Sequence, residues 1–77
     1  MTKQEFLSLF EEILEAVPGT LKGAEPLPGR EGWDSLAVVS LIAMVDEQVG
    51  LTLSPKEIAK AETVADLMGL LGDKIEA

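Results

Sequence analysis

Residues 18 to 33 contain three prolines and four glycines: Pro18, Pro26, Pro28, Gly19, Gly23, Gly29 and Gly32. Proline removes a backbone donor, and glycine carries a large entropic cost in a regular element. No helical or strand period survives this stretch. The chain is thereby divided into one segment before it and a longer one after it. A structureless connection of about 15 residues is unusual in a small domain and is more often functional or disordered. Leu21 and Leu27 are expected to pin it to the core.

The segments on either side have helical periodicity. Thr2 and Glu5 have the spacing of a capping box. Phe6, Phe10, Ile13, Leu14 and Val17 then fall on one face, with Glu5, Ser8, Glu11, Glu12 and Glu15 on a solvated one. Pro18-Gly19 is the predicted stop. Asp34 is a good cap for a second helix running to Val49 and ended by Gly50. Trp33 and Val38 have the spacing of a hydrophobic staple across that cap. The core stripe of this helix is Val38, Leu41, Ile42, Val45 and Val49. Leu36, Val39 and Ala43 form a second apolar strip turned away from it, surplus to a core and suited to a partner or ligand.

Ser54-Pro55-Lys56-Glu57 reads as a capping box with proline at the first helical position. It opens a short helix through Ala61 with Ile58 inward. Thr63 caps a last helix whose inner face is Val64, Leu67, Met68, Leu71 and Ile75, and Gly72 ends it. The predicted fold is all-α: a single domain over 1–77, built as a four-helix bundle. Three longer helices and one short one are expected, paired mostly antiparallel, with a long loop between the first and second.

Composition narrows the chemistry. The chain has no Cys, His, Tyr or Asn. It therefore has no thiol or imidazole for nucleophilic, metal or acid–base work near neutral pH. No base flanks a serine in a triad-like set, so an enzyme is not expected. The acids lack Ca²⁺-loop spacing, and no metal site is expected. No phosphate-cradling Gly-Lys-Ser/Thr or dinucleotide glycine pattern is present. A net charge of −8 disfavours nucleic acid and anionic lipid. The run Leu36 to Val45, broken by Ser40, is too short to span a bilayer. No signal-peptide core follows Met1, so a cytoplasmic protein is expected. Charge repulsion favours a monomer.

One constellation stands out. Trp33-Asp34-Ser35-Leu36 places a serine hydroxyl in the first turn of the second helix. Backbone N–H groups there lack intrahelical partners, and such a start suits a phosphate ester. The helix dipole stabilises one negative charge there by about 0.3–1 kcal/mol. Asp34 opposes it electrostatically and so needs a reason of its own, with capping the first.

The pattern resembles the acyl carrier proteins. Asp34-Ser35-Leu36 is similar to their attachment motif. The run Val39 to Glu47 is similar to their apolar-then-acidic second helix. The order helix, long loop, helix, short helix, helix covers essentially the whole chain. The resemblance implies that a phosphopantetheinyl transferase esterifies Ser35 with 4′-phosphopantetheine from coenzyme A. The arm's thiol would hold acyl groups as thioesters for acyl-transferring and acyl-modifying enzymes. Asp34 would serve transferase recognition and help bind its divalent metal, and Leu36 would pack into that enzyme and later partners. The implied partner face is Leu36, Val39, Ala43, Met44, Asp46 and Glu47.

The chain departs from the fatty-acid members at Ala37 and Ser40, where acids are usual, and at Gln48. Asp46 and Glu47 remain. Apolar contact should then count for more than charge. A specialised, freestanding carrier is expected, for a fatty-acid-like, polyketide or related lipid pathway. An acyl chain is expected to enter between the second strip and Ile58 with Leu67 or Met68. The competing expectation is a small acidic helical adaptor that docks a partner through Leu36, Val39 and Ala43 and carries no prosthetic group.

Overall fold

A computed structural model describes residues 1–76. Four α-helices follow one another: α1 (Lys3–Leu14), α2 (Ser35–Val49), α3 (Pro55–Ala59) and α4 (Val64–Leu71). A 3₁₀ turn, Gly72–Lys74, follows α4. The all-α expectation holds, with three longer helices and one short one. The Thr2/Glu5 box closes at both ends, with Thr2 Oγ1 accepting from Glu5 N–H and Glu5 Oε1 from Thr2 N–H. Thr63 and Asp66 form a second reciprocal box at α4. At α3, Ser54 Oγ accepts from Glu57 N–H but gives its proton to Glu57 Oε1, so only half of the expected box forms. That helix stops at Ala59, two residues short of the expected end.

The end of α1 corrects the sequence reading. The helix closes at Leu14, and Glu15 takes a left-handed conformation (φ 57°) as its cap. Val17 therefore leaves the helical face and stands 70% exposed. Leu7 takes a core place instead, and Ile13 is half-buried. Glu11 is the larger surprise, because it is buried rather than solvated. Its Oε2 accepts from the N–H groups of both Gly19 and Leu21, at 2.9 Å each. These bonds, with the Leu21 N–H first, hold the carboxyl below the usual glutamate range. Simple helical periodicity puts Glu11 outside. The early turn at Glu15 folds residues 19–21 back over it and makes it an anchor.

The remaining loop is stitched to α4. Glu25 accepts from Lys22 N–H through Oε2 and from Gly23 N–H through Oε1, at 2.8 Å each. The carbonyls of Gly23 and Glu25 take the N–H groups of Ala65 and Val64, at 2.7 and 3.1 Å. Those are first-turn donors of α4 that have no acceptor within their own helix. Leu27 N–H donates to Glu62 O at 2.8 Å, within an isolated bridge that pairs Pro26 with Thr63. Leu21 and Leu27 are buried, as expected. A second isolated bridge pairs Thr2 with Glu76, bringing the two ends of the described chain together. Among the described residues these bridges are the only strand-like pairings.

Phe6, Phe10, Leu27, Leu41, Ile58 and Leu67 form the fully buried centre. Phe6 and Phe10 stack with centroids 5.8 Å apart. The buried stripe of α2 is narrower than its periodicity suggests. Ala37, Leu41 and Val45 are buried, while Val38, Ile42 and Val49 are half-buried. Ile75 is half-buried beyond the 3₁₀ turn.

Replacing Glu11 tests the anchor. Glu11→Ala leaves two backbone donors without an acceptor and should cost about 2–3 kcal/mol in denaturant unfolding. Glu11→Gln keeps one acceptor oxygen where both bonds converge, and should cost less. The folded-state pKa is lowered, so the charge's contribution is complete above the ordinary value of 4.5 and fades as pH falls through the lower folded-state value. Wild type should lose more stability across that acid window than Glu11→Gln does.

Candidate functional site

The site is built where the loop returns to α1. At Gly32, φ is +85°, and a Cβ there would lie 2.6 Å from the Leu14 carbonyl oxygen. Only glycine allows this approach without displacing backbone. One residue on, Trp33 packs edge-on against Phe10, with ring centroids 5.5 Å apart. Trp33 and Val38, the pair with staple spacing, are both half-buried against the core. Trp33 N–H donates to Arg30 O at 3.1 Å and Arg30 N–H to Leu27 O at 2.9 Å, so successive turns carry the chain into the contact. Helix α2 thus starts beside the C-terminal end of α1. Its far end lies at the other end of α1, where Gln48 shares a surface depression with Gln4, Glu5 and Ser8.

Asp34 caps α2. Its backbone is extended, and its Oδ1 accepts from Ala37 N–H at 2.9 Å. The Asp34 carbonyl takes Val38 N–H at 3.0 Å. The N–H groups of Ser35 and Leu36 have no acceptor within the helix and point out from its start. Ser35 itself is exposed. Its setting differs from that of the other serines. Ser8 lies within α1 and accepts from Gln4 Nε2. Ser40 is half-buried inside α2. Ser54 spends its hydroxyl on the cap of α3.

The second apolar strip of α2 faces solvent. Leu36 is 72% and Val39 61% exposed, and Ala43 is exposed beside them. Met44 is half-buried; Asp46 and Glu47 are exposed near the helix end. The strip therefore does not close against the core. Ile58 and Leu67 are sealed and Met68 is nearly so. Among the described residues no cluster of acidic side chains has the grouping of a metal site. No helix among them is long and apolar enough to cross a membrane.

The family model for a phosphopantetheine attachment site matches residues 4–71. The chain belongs to that family of carrier domains. No curated protein and no solved structure matches it. The matched span contains the whole loop, α2 and α4. The group carried by this family is 4′-phosphopantetheine, attached covalently. The residues present suit it: an exposed hydroxyl at the start of a 15-residue helix, with free first-turn donors, accommodates a phosphodiester. Sequence reasoning found the Trp33–Leu36 segment and its cap. It missed Glu11 and the Gly32 approach, which place that segment. Gly32 carried a signal, being a glycine just ahead of a helix cap, but its partner Leu14 lies 18 residues earlier.

Three substitutions at two positions separate placement from capping. Gly32→Ala combines a positive φ with a backbone clash and should lower stability by about 1–3 kcal/mol. Asp34→Ala removes the cap and should cost about 1 kcal/mol, whereas Asp34→Asn retains it at little cost. Thermal unfolding of the three variants checks this order.

Proposed function

We propose that Ser35 carries the phosphopantetheine arm and that residues 1–77 act as one acyl carrier domain. The exposed Ser35 hydroxyl at the start of α2, inside the matched span, is the observation that supports this most directly. The chain has no thiol of its own. When attached, the arm supplies a thiol on which acyl groups are held as thioesters. The protein's own part is presentation. It holds one serine at a defined helix start, with the arm's phosphate near unpaired N–H donors and the exposed strip beside it. Carrier domains of this kind are typically non-catalytic, and the one carboxylate next to Ser35, Asp34, has an oxygen engaged in capping α2.

Asp34 serves in this reading both as cap and in recognition by the phosphopantetheinyl transferase. Leu36, Val39, Ala43 and Met44 form the apolar part of the partner face. Asp46 and Glu47 supply its charge, toward basic surfaces on the acyl-transferring and acyl-modifying enzymes. Ala37 is buried. An acid at that position would meet the core, so the lack of charge there follows from packing in this chain. With little charge near the start of α2, partner affinity rests on apolar burial. A specialised pathway handling fatty-acid-like, polyketide or related lipid intermediates fits this face. The carrier acts as a monomer in the cytoplasm, kept apart from its copies by the net charge of −8.

Intact mass after incubation with coenzyme A, magnesium and a broad-specificity transferase tests the reading. One phosphopantetheine-sized gain is expected in wild type and none in Ser35→Ala. Leu36→Asp should keep the thermal midpoint, because the side chain is exposed. It should slow loading by about tenfold, the size of a lost interface anchor. A folded wild-type chain that gains no mass with several transferases would support the adaptor instead.

A further inference from the structure

A groove of about 750 Å³ opens at the C-terminal end of α1, between that helix end and the turn leading into α2. It is an open surface depression rather than an enclosed cavity. Leu14, Ala16 and Val17 give it apolar lining, and Thr20, Arg30 and Gly32 complete it. Among the described residues Val17 is one of three large apolar side chains left exposed, and it lies outside the strip on α2. Core packing gives no reason for it.

Position and charge together indicate an occupant. Gly32 borders the groove, and three peptide units separate it from Ser35, so their Cα atoms lie within about 11 Å of each other. The groove and Ser35 also share one end of the α1–α2 pair, because Gly32 rests on Leu14. Glu15, Glu31 and Arg30, the chain's one arginine, also line the groove, and the Arg30 charge acts on Glu25 as well. Two carboxylates against one cation do not hold an anion. They suit a neutral chain with amide donors and acceptors. The carboxylates accept amide N–H groups, and Arg30 donates to amide carbonyls. Thr20 gives its own proton to Val17 O at 2.7 Å, which leaves its oxygen as a further acceptor.

We propose that this groove is the resting seat of the uncharged pantetheine portion of the arm, tethered at Ser35. The inference rests on the Ser35 reading. The arm carries two amides and a geminal dimethyl group, which match the polar and apolar lining of the groove, and its one anion stays at the tether. Seating there draws the thiol back from the Leu36 and Val39 face. Partner enzymes then compete with the groove for the arm.

The test compares ¹H–¹⁵N amide spectra of the full chain before and after loading, with intact mass confirming one arm per chain. Arg30 to Gly32 lie close to Ser35 along the chain, so Val17 and Thr20 are the diagnostic amides. They should shift on loading. Val17→Asp, at an exposed position, should keep the fold by circular dichroism, reduce the Thr20 shift by more than half and leave the Leu36 shift in place. Shifts confined to residues 33–38, shifts centred on Ile58 and Leu67, or an unchanged Thr20 response in Val17→Asp would each overturn the seat while leaving Ser35 as the attachment point. Absence of the mass gain would remove the Ser35 reading and the seat with it.

Discussion

The close approach of Gly32 to the Leu14 carbonyl, with Trp33 laid edge-on against Phe10 next to it, is the contact on which the site depends. Two neighbouring residues are fixed against the C-terminal half of α1, one by backbone proximity and one by an aromatic pair. Asp34 then caps the helix that starts directly after them. Ser35 owes its place to this sequence of constraints. No atom of Ser35 has to be held by a bond of its own, and its hydroxyl is left free at the surface.

The long loop supports that contact through carboxylates used as structural acceptors. Glu11 gathers two N–H groups at the start of the loop, and Glu25 gathers two more at its middle. In both cases backbone donors depress the carboxyl pKa, for Glu25 chiefly the Gly23 N–H. The loop carbonyls in turn satisfy the first-turn donors of α4. A connection without periodic structure thus meets its backbone hydrogen-bonding needs through two acidic side chains, a helix end and its own local turns. In a small domain with no disulfide, this spreads order into a segment that hydrophobic burial alone would hold only at Leu21 and Leu27. Some of the chain's acidity is therefore architectural and does not face partners.

The local signals in the sequence were legible. Thr2, Asp34, Ser54 and Thr63 each cap the helix their spacing indicated, and Gly50 closes α2 in the left-handed conformation. Caps are read from neighbours within a few residues, so sequence inspection finds them. The errors came from contacts between distant residues. Val17 continues the apolar period of α1, but the helix turns at Glu15 to let the loop pass, and periodicity carries no record of that. Glu11 appears on a polar face until residues 19–21 are placed over it. Ala37 was noted for its lack of charge, yet its burial depends on how α2 is rotated against the core. The exposed strip of Leu36, Val39 and Ala43 was visible because two apolar stripes on one helix cannot both face the same core.

Functionally, the scaffold separates two tasks. The N-terminal half of the molecule fixes the helix start, while the outward strip of α2 remains unused by the fold. A carrier needs both, a fixed tether and a face free for successive partners. The most direct measurement is fragmentation mass spectrometry of the transferase-loaded chain, because it locates the arm without relying on any variant. The added mass is expected on the fragment bearing Ser35 alone. Its appearance on Ser8, Ser40 or Ser54 would contradict the account.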